Sequence, residues 1–250
     1  MMSDASTLPH VDCEQLSITG ERTVPGIWHE NYWFRRHEVV YERIAEQVEG
    51  RTVLEAGCGE GYGAHMLARR AASVHAVDYD RDATAHVRRA YPDVAVTQAN
   101  LVALPFADAS FDVVVSLQTI EHLWDQDAFL AECVRVARPG GVVIISTPNT
   151  LTFPPGNPYH PHEFAPGELG DLAARHGQIE SFDGVYHGER LSAWEDRHGS
   201  IVDTQLADEP EAWPAHVRER VAGIVTSDFV IGPVTDDCAD LIVTLRTPAR

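Results

Sequence analysis

The chain has 250 residues, of which 44% are hydrophobic, and it carries a formal net charge of −19 at neutral pH. This length and apolar content suit one large α/β domain with a sizeable core. The negative charge opposes binding to nucleic acid or to an anionic membrane, since both attract basic surfaces. All 19 basic residues are arginine, so lysine catalysis, Schiff bases and a Walker-type phosphate loop are excluded.

The N-terminal segment and the cysteines bear on the compartment. The segment is polar and acidic, unlike a signal peptide, and no apolar run in the chain is long enough to span a bilayer. Four cysteines, at positions 13, 58, 133 and 238, form no CxxC pair. This scatter argues against a zinc ribbon or a disulfide framework. We therefore expect a cytoplasmic protein.

The predicted elements alternate between helices and strands. Residues 1–25 are predicted to form a flexible arm and 26–250 a single domain, whose first amphipathic helix starts near Asn31. Strands are predicted at 52–57, 74–80, 94–100, 111–120 and 142–149, with helices at 63–72, 81–92 and 127–138. Strands that are apolar throughout are typical of a parallel sheet covered by helices on both faces.

The character of the sequence changes after residue 149. Residues 147–162 are rich in proline and predict an extended loop, and a helix is predicted at 165–177. Residues 187–225 are predicted to be an insertion before the last strand, 238–247, and we expect this insertion to form a lid or a homodimer contact. Such folds place their ligand sites in the loops at the carboxyl ends of the parallel strands.

The segment VLEAGCGEGYGAH contains four glycines, at 57, 59, 61 and 63, between a strand and a helix. Glycines let the backbone turn tightly and approach a ligand closely. Gly59, Gly61 and Ala64 also fit the GxGxxA pattern of dinucleotide-binding enzymes. Glu55 opposes that alternative, because its carboxylate would face a pyrophosphate, whereas it suits the ammonium group of an amino acid. The absence of lysine also excludes the Tyr-Lys pair of short-chain dehydrogenases.

Polar residues end the next two strands. Asp78 is placed to hold both hydroxyls of a ribose, although an aspartate here could also cap the following helix. Tyr79 offers a ring for stacking on a purine, and Asn100 with Leu101 could read the edge of an adenine. Together with the glycine segment, LPFADASFDVVVS and RVARPGGVVIISTPN, this pattern resembles class I S-adenosylmethionine (SAM) methyltransferases across 52–149.

The resemblance implies a Rossmann-like α/β fold with a mostly parallel seven-stranded sheet and helices on both faces, plus an N-terminal helical arm. It also implies SAM as the cofactor. By this likeness Arg36, rather than its neighbour Arg35, pairs with the SAM carboxylate. The implied cofactor-binding residues are Arg36, Glu55, Gly57, Cys58, Gly59, Gly61, Asp78, Tyr79, Asn100, Leu101 and Gln118.

Glu121 and His122, in SLQTIEHLWD, follow the fourth strand at the edge where the cofactor is expected. They could be only the polar start of a helix. Methyl transfer to an alcohol, however, needs a base near neutrality or a metal that acidifies the hydroxyl. In several natural-product sugar methyltransferases a His at this place is the base. In ubiquinone-pathway and plant small-RNA O-methyltransferases an E-x-x-E-H motif holds a divalent metal; here Gln118 replaces the first Glu.

The loop NPYHPHEF brings further candidate ligands, His160, His162 and Glu163. The resemblance implies a mixed oxygen and nitrogen metal site, for which Glu121, His122 and His162 are the preferred ligands, with a remaining histidine as the base. The implied ion is Mg²⁺, although carboxylate plus imidazole suits Mg²⁺ poorly by ligand softness. Without a metal, His122 is the expected base.

The resemblance to mycobacterial sugar O-methyltransferases extends over the chain from about Thr19, through segments such as ENYWFRRHEVVYERI, IEHLWDQ and DRHGSI. The likeness is greatest to those that methylate the 1-OH of short 3-O-methylated mannosides in methylmannose polysaccharide biosynthesis, with Mg²⁺. It implies a small saccharide acceptor and no nucleic-acid or membrane partner. Two alternatives are a methyltransferase of a quinone, phenol or other small molecule, and a non-catalytic SAM-binding protein. The non-catalytic alternative is opposed by the intact glycines, by Asp78 and by the pair Glu121–His122.

Overall fold

The structure, a computed structural model, describes Leu16 and residues 22–249. Most of the predicted flexible arm, 1–25, therefore lies outside the described residues. In its described part Leu16 and Val24 are buried. Arg22 forms an ion pair of 2.5 Å with Asp80, so this end of the arm is attached to the domain.

Eight strands form one sheet in the order β3-β2-β1-β4-β5-β8-β6-β7. The first five are parallel, and β8, β6 and β7 are antiparallel. The strands are β1 (Thr52–Ala56), β2 (Ser73–Asp78), β3 (Ala95–Gln98), β4 (Phe111–Leu117), β5 (Ala137–Pro148), β6 (Gln178–His187), β7 (Phe229–Pro233) and β8 (Asp240–Arg246). The strand order reverses between β1 and β4, and at such a switch point a crevice opens at the carboxyl ends.

Helices cover both faces of the sheet, as predicted. They are α1 (Asn31–Ala45), α2 (Tyr62–Ala68), α3 (Arg81–Ala90), α4 (Gln126–Val136), α5 (Pro166–His176), α6 (Glu189–His198), α7 (Ile201–Ala207) and α8 (Ala215–Ala222). Because side chains alternate along a strand, Val53 joins a core formed with α1, α2 and the insertion, whereas Leu54 joins a second core with α4 and α5.

The carboxyl-terminal half contains more structure than the sequence indicated. The sheet has one strand more than the seven predicted, because β7 pairs with β6 at the edge. Residues 187–225 hold the helices α6, α7 and α8, whose apolar residues Leu191, Ile201 and Val217 pack in the first core. Among the described residues, no helix is both long and apolar enough to cross a membrane. The described cysteines, Cys58, Cys133 and Cys238, are buried and unpaired.

Candidate functional site

A cavity of about 920 Å³ lies at the carboxyl ends of β1, β2 and β4, where the fold predicts a crevice. Its wall combines the glycine loop after β1, residues of α1, the ends of β2 and β4, and part of the proline-rich loop. Ligand pockets in proteins commonly have volumes of about 300–1,000 Å³. The volume is therefore sufficient for a cofactor together with a second molecule.

The glycine loop is shaped by left-handed backbone at Gly57, Gly59 and Gly61, with φ of 85°, 50° and 97°. A Cβ atom at Gly57 would lie 2.4 Å from the side chain of Thr119, so this position admits only glycine. Gly57, Cys58 and Gly59 all lie on the cavity wall. The loop thus presents main chain to the cavity.

Glu60 anchors this loop, a role that the sequence analysis missed. Its side chain is buried and accepts hydrogen bonds from the Tyr91 hydroxyl at 2.9 and 3.0 Å. The Nε2 atom of His86 lies 2.7 Å from Glu60 Oε1. Because His86 lies on α3 and Tyr91 directly follows it, Glu60 ties the glycine loop to that helix. No local motif connects Glu60 to partners 26 and 31 positions further along the chain.

Asp78 lies on the cavity wall at the end of β2. Its two carboxylate oxygens accept hydrogen bonds from the backbone N–H groups of Gly59 and Asp80, both at 2.8 Å. A carboxylate has lone pairs for further bonds, so both oxygens can still accept from a ligand. The cap of α3 is Asp80, which accepts from the N–H of Asp82, and the helix-cap alternative for Asp78 is wrong. Tyr79 also lies on the wall, with 74% of its surface exposed.

Glu55 is completely buried and is not among the residues on the cavity wall. The Tyr41 hydroxyl donates to its Oε1 at 2.5 Å, whereas its Oε2 has no hydrogen-bond partner. Burial raises the pKa of Glu55 to about 8. A buried acceptor without a donor is costly, and a nearby positive charge would stabilise the ionised form.

Three predicted cofactor residues have other partners in the structure. Asn100 is exposed and outside the cavity wall, where its Oδ1 accepts from the N–H of Val102 at 3.1 Å, whereas Leu101 lines the cavity. Gln118 is on the wall with a φ of 52°, and its amide donates to Ser146 Oγ at 3.1 Å. The guanidinium of Arg36 is also on the wall, but it is bound to a carboxylate.

Arg36 and Asp240 form a buried ion pair. Arg36 Nε donates to Asp240 Oδ2 at 2.6 Å, and Nη2 donates to Asp240 Oδ1 and to the carbonyl of Ala239. Both side chains are at most 4% exposed. Two of the three guanidinium nitrogens are thus directed into the protein, and only Nη1 lies outside these bonds. If Arg36 also paired with the SAM carboxylate, as predicted, the two carboxylates of SAM and Asp240 would have to share one guanidinium.

Glu121, His122 and His160 form a cluster on the cavity wall. One potential ligand atom from each lies within 4.8 Å of the other two. Glu121 is 1% exposed, and its Oε2 accepts from the Thr147 hydroxyl at 3.0 Å. Burial raises the pKa of Glu121 to about 8, so a positive charge beside it would favour its ionised form.

The contacts of the two imidazoles define their protonation. His122 Nδ1 lies 3.0 Å from the carbonyl oxygen of Tyr159; since a carbonyl only accepts, Nδ1 carries the hydrogen and Nε2 the lone pair. Burial, aided by the ring of His160, lowers the pKa of His122 to about 4. His160 Nδ1 lies 2.5 Å from Glu163 Oε1 and Nε2 lies 3.1 Å from Asn157 Nδ2. His122 thus keeps Nε2 free, whereas His160 donates from Nδ1 to Glu163 and accepts at Nε2 from the Asn157 amide, so that both of its ring nitrogens have partners.

His162 does not belong to this cluster, and the preference for it as a ligand is wrong. Its side chain is 47% exposed, and its Nε2 lies 3.3 Å from Glu168 at the start of α5. His160 and His162 are separated by one residue on the same loop. The contacts of His160 with Asn157 and Glu163 orient its ring towards the cavity. The i to i+3 spacing of His160 and Glu163 was the signal that could have distinguished them.

Comparisons with known proteins identify the family of the chain. A family model described as a methyltransferase domain matches residues 54–145. A probable S-adenosylmethionine-dependent methyltransferase of Mycolicibacterium smegmatis is 49% identical over 248 residues, covering 93% of this chain and 96% of that protein. The chain belongs to the SAM-dependent methyltransferase family. A probable methyltransferase of the same type from Mycobacterium tuberculosis is also 49% identical, over 93% of this chain and 90% of its own length.

Solved structures support the fold alone. A SAM-dependent methyltransferase from Mesorhizobium loti has a TM-score of 0.58 at 17% identity, covering 84% of this chain and 97% of its own. The [4+2]-cyclase SpnF has a TM-score of 0.56 at 18% identity, covering 94% of this chain and 86% of its own. A methyltransferase and a cyclase thus share this architecture, so the acceptor must be argued from the site and not from the fold.

This methyltransferase uses SAM, and its described residues fit that cofactor. The open main chain of the glycine loop and the carboxylate of Asp78 suit the methionine and ribose portions, and Tyr79 offers an exposed ring to the adenine. The unpartnered Oε2 of Glu55 suits a nearby ammonium group. The glycine loop, Asp78 and Tyr79, which line the cavity, thus match parts of a nucleoside that carries an amino acid.

Glu55 should make the unliganded enzyme less stable as the pH rises. Its pKa is about 8 in the folded state against 4.5 for an ordinary glutamate. Between these values the folded state holds a proton that the unfolded state lacks, so the free energy of unfolding falls with increasing pH. Glu55→Gln should reduce the fall between pH 5.5 and 8 by about 1–3 kcal/mol. Urea titrations at several pH values measure the free energy of unfolding. The control Asp171→Asn, at an exposed position, should show the same fall with pH as the wild type. A fall in Glu55→Gln equal to that of the wild type would contradict the raised pKa of Glu55.

Proposed function

We propose that this enzyme transfers the methyl group of SAM to a hydroxyl of a small saccharide, specifically the 1-OH of a short 3-O-methylated mannoside. The observation that carries the proposal is the cluster of Glu121, His122 and His160 on the wall of the cavity that also contains the glycine loop and Asp78. A methyl acceptor that is an amine or thiol needs little help to react, whereas an alcohol needs its proton removed. A polar cluster in this place therefore favours an alcohol.

The transfer is a single displacement. The hydroxyl oxygen attacks the methyl carbon, the carbon–sulfur bond breaks, and its electron pair returns to sulfur, which becomes a neutral thioether. The hydroxyl proton passes to Nε2 of His122, which is unprotonated at neutral pH because burial lowers the pKa of the ring to about 4. The same burial makes the ring a weak base, so the imidazolium that forms needs the carboxylate of Glu121, which has an oxygen within 4.8 Å, to stabilise it. The Tyr159 carbonyl holds the opposite nitrogen, so the ring is oriented before the acceptor binds.

The same cluster fits a divalent cation. Glu121, His122 and His160 would supply one oxygen and two nitrogen ligands, provided that the Asn157 amide releases Nε2 of His160. This set suits Mn²⁺, Fe²⁺ or Zn²⁺ better than Mg²⁺. When bound, such an ion would lower the pKa of an acceptor hydroxyl and offset the negative charge of Glu121. Mg²⁺, which the sequence resemblance implies, remains part of the proposal because it has precedent with this type of motif.

The cavity wall supports a polar acceptor. Beyond the cofactor groups it contains Glu30, His37 and Asn157, which can exchange hydrogen bonds with sugar hydroxyls, and Trp33, which can cover an apolar sugar face. Other relatives suggest other acceptors. A fatty-acid O-methyltransferase of Mycolicibacterium smegmatis is 40% identical and a ubiquinone biosynthesis O-methyltransferase of Mesorhizobium japonicum is 34% identical. These matches cover 41% and 43% of the chain, whereas the mycobacterial relatives cover nearly all of it.

The test is methyl transfer from SAM, followed by mass, to 3-O-methylmannose and its di- and tetrasaccharide, in parallel with a catechol, a quinol and a fatty acid. Each assay is run with Mg²⁺, with Mn²⁺ and with EDTA. Transfer to the mannosides alone supports the proposal, and its loss with EDTA assigns the cluster to a metal. Transfer to the mannosides that persists in EDTA supports the saccharide acceptor and assigns His122 as the base of a metal-independent reaction. Transfer only to the catechol, quinol or fatty acid would overturn the saccharide assignment.

A further inference from the structure

Gln118, which directly follows β4 on the cavity wall, has a strained backbone. Its φ of 52° lies in the left-handed region. Among the residues that the structure describes, Ala109 is the one other non-glycine residue with a positive φ, and it precedes β4 at the far end of that strand, away from the cavity wall. A side chain disfavours this conformation, which persists only where the surroundings hold it, most often at functional sites.

Ser146 on β5 holds Gln118 through two hydrogen bonds. The backbone N–H of Gln118 donates to the Ser146 carbonyl at 2.9 Å, and the side-chain amide donates to Ser146 Oγ at 3.1 Å. Asparagine and aspartate are the usual non-glycine residues at positive φ, because their short side chains bond to the nearby backbone. The longer side chain of Gln118 instead reaches the neighbouring strand, where Ser146 is 1% exposed. The amide therefore offsets the cost of the backbone conformation with a bond made in the interior.

The bend at Gln118 sets the direction of the segment that carries the catalytic pair. After this residue the chain forms a single 3₁₀ turn, Ile120–His122, which brings Glu121 and His122 to the cavity wall. Glu121 accepts from the hydroxyl of Thr147 on β5 at 3.0 Å. The same strand, β5, thus holds both the bend and the acid that follows it.

The bend also contacts the glycine loop. The hydroxyl of Thr119 lies 3.2 Å from the carbonyl oxygen of Leu117 and 3.3 Å from that of Gly57. A change in the backbone of Gln118 would therefore move the catalytic pair relative to the loop that borders the cofactor. In a displacement reaction, a misplacement of about 1 Å can lower the rate by about 10²-fold.

We propose that Gln118 is a positioning residue for methyl transfer: its left-handed backbone, held by the bond of its amide to Ser146, directs Glu121 and His122 towards the cofactor. The inference rests on the proposed function, in which this pair acts on the acceptor hydroxyl, and it names the residue that orients the pair. Gln118 stands where the E-x-x-E-H motif has its first glutamate, and the proposal assigns its amide to the bend and not to a ligand.

The experiment compares Gln118→Gly, Gln118→Ala and Gln118→Val. All three variants lack the amide, but glycine adopts a positive φ freely, alanine with strain and the β-branched valine least readily. We expect kcat for 3-O-methylmannose to fall about three-fold in Gln118→Gly, about ten-fold in Gln118→Ala and about 100-fold in Gln118→Val. The KM of SAM and the Kd of S-adenosylhomocysteine should stay within about three-fold.

Ala109→Gly is the control, because it relieves the same backbone strain at the other end of β4. Its kcat should stay within about two-fold of the wild type. Urea titration of every variant verifies that the protein is folded under the assay conditions. A direct contact of the amide with a ligand predicts a different order, in which the three Gln118 variants lose kcat equally or Gln118→Gly loses the most.

A second readout needs no turnover. His122 carries its hydrogen on Nδ1, which donates to the Tyr159 carbonyl, and ¹⁵N NMR distinguishes this tautomer, with His122→Ala providing the assignment. The Nδ1–H signal should be retained in Gln118→Gly and lost in Gln118→Val. Equal losses of kcat with an unchanged signal would refute the positioning role. If the wild type methylates none of the saccharides, the proposed function fails, and the signal alone decides: retention in Gln118→Val refutes the inference, and its loss there with retention in Gln118→Gly supports it.

Discussion

Replacing His122 with alanine is expected to lower kcat for the saccharide acceptor by about 10²–10⁴-fold, the usual contribution of a positioned general base. The affinity for S-adenosylhomocysteine should stay within about two-fold, because His122 is held by the proline-rich loop and not by the glycine loop. Single-turnover transfer measured by mass gives the rate, and calorimetry gives the affinity. The loss should persist in EDTA if the ring is the base in the absence of a metal.

His162→Ala is the matched control for this prediction. It removes the same side chain from the same region, but from an exposed position that faces Glu168. We expect kcat within about two-fold of the wild type. Equal losses in the two variants would show that the loop as a whole, and not the lone pair of His122, limits the reaction. Unchanged turnover in His122→Ala would remove the ring from the mechanism.

The parts of the site that follow strands could be predicted from the sequence. A short apolar run locates each strand, and in a parallel sheet the residue that follows it must lie at the same edge as its neighbours. Gly57, Asp78 and Glu121 span 64 positions of the sequence. The order of the strands alone is enough to predict that they lie at the same edge of the sheet. The paired faces of the core were predictable for the same reason, because Val53 and Leu54 necessarily point to opposite sides.

The parts that depend on long-range contacts could not be predicted. Which of two histidines faces the cavity is decided by the partners of His160, at Asn157 and Glu163, and not by spacing relative to a strand. Arg36 has the helical position of a cofactor ligand, yet its guanidinium is bound by Asp240, 204 residues away. The position of α6 likewise depends on His187, whose ring contacts the Tyr32 hydroxyl of α1 and the Glu195 carboxylate of α6, and the composition of the insertion does not encode these contacts.

Arg36→Met should destabilise the folded protein by about 3–5 kcal/mol, because it leaves the carboxylate of Asp240 buried without its partner. Asp240 is 1% exposed and has Arg36 on both oxygens, so water cannot replace the lost bonds without opening the site. Urea titration at neutral pH measures the change, and Arg35→Met, next to it on α1 in a more exposed ion pair with Glu38, should cost less than about 1 kcal/mol.

The double variant Arg36→Met with Asp240→Asn separates stability from cofactor binding. Removing both charges eliminates the buried unpaired carboxylate, so most of the lost stability should return. If Arg36 serves only to neutralise Asp240, the double variant should bind S-adenosylhomocysteine with wild-type affinity. If the remaining nitrogen, Nη1, also holds the carboxylate of the cofactor, the affinity should stay reduced by about ten-fold or more even though the fold is restored, since a charge-assisted hydrogen bond contributes about 1.5–3 kcal/mol.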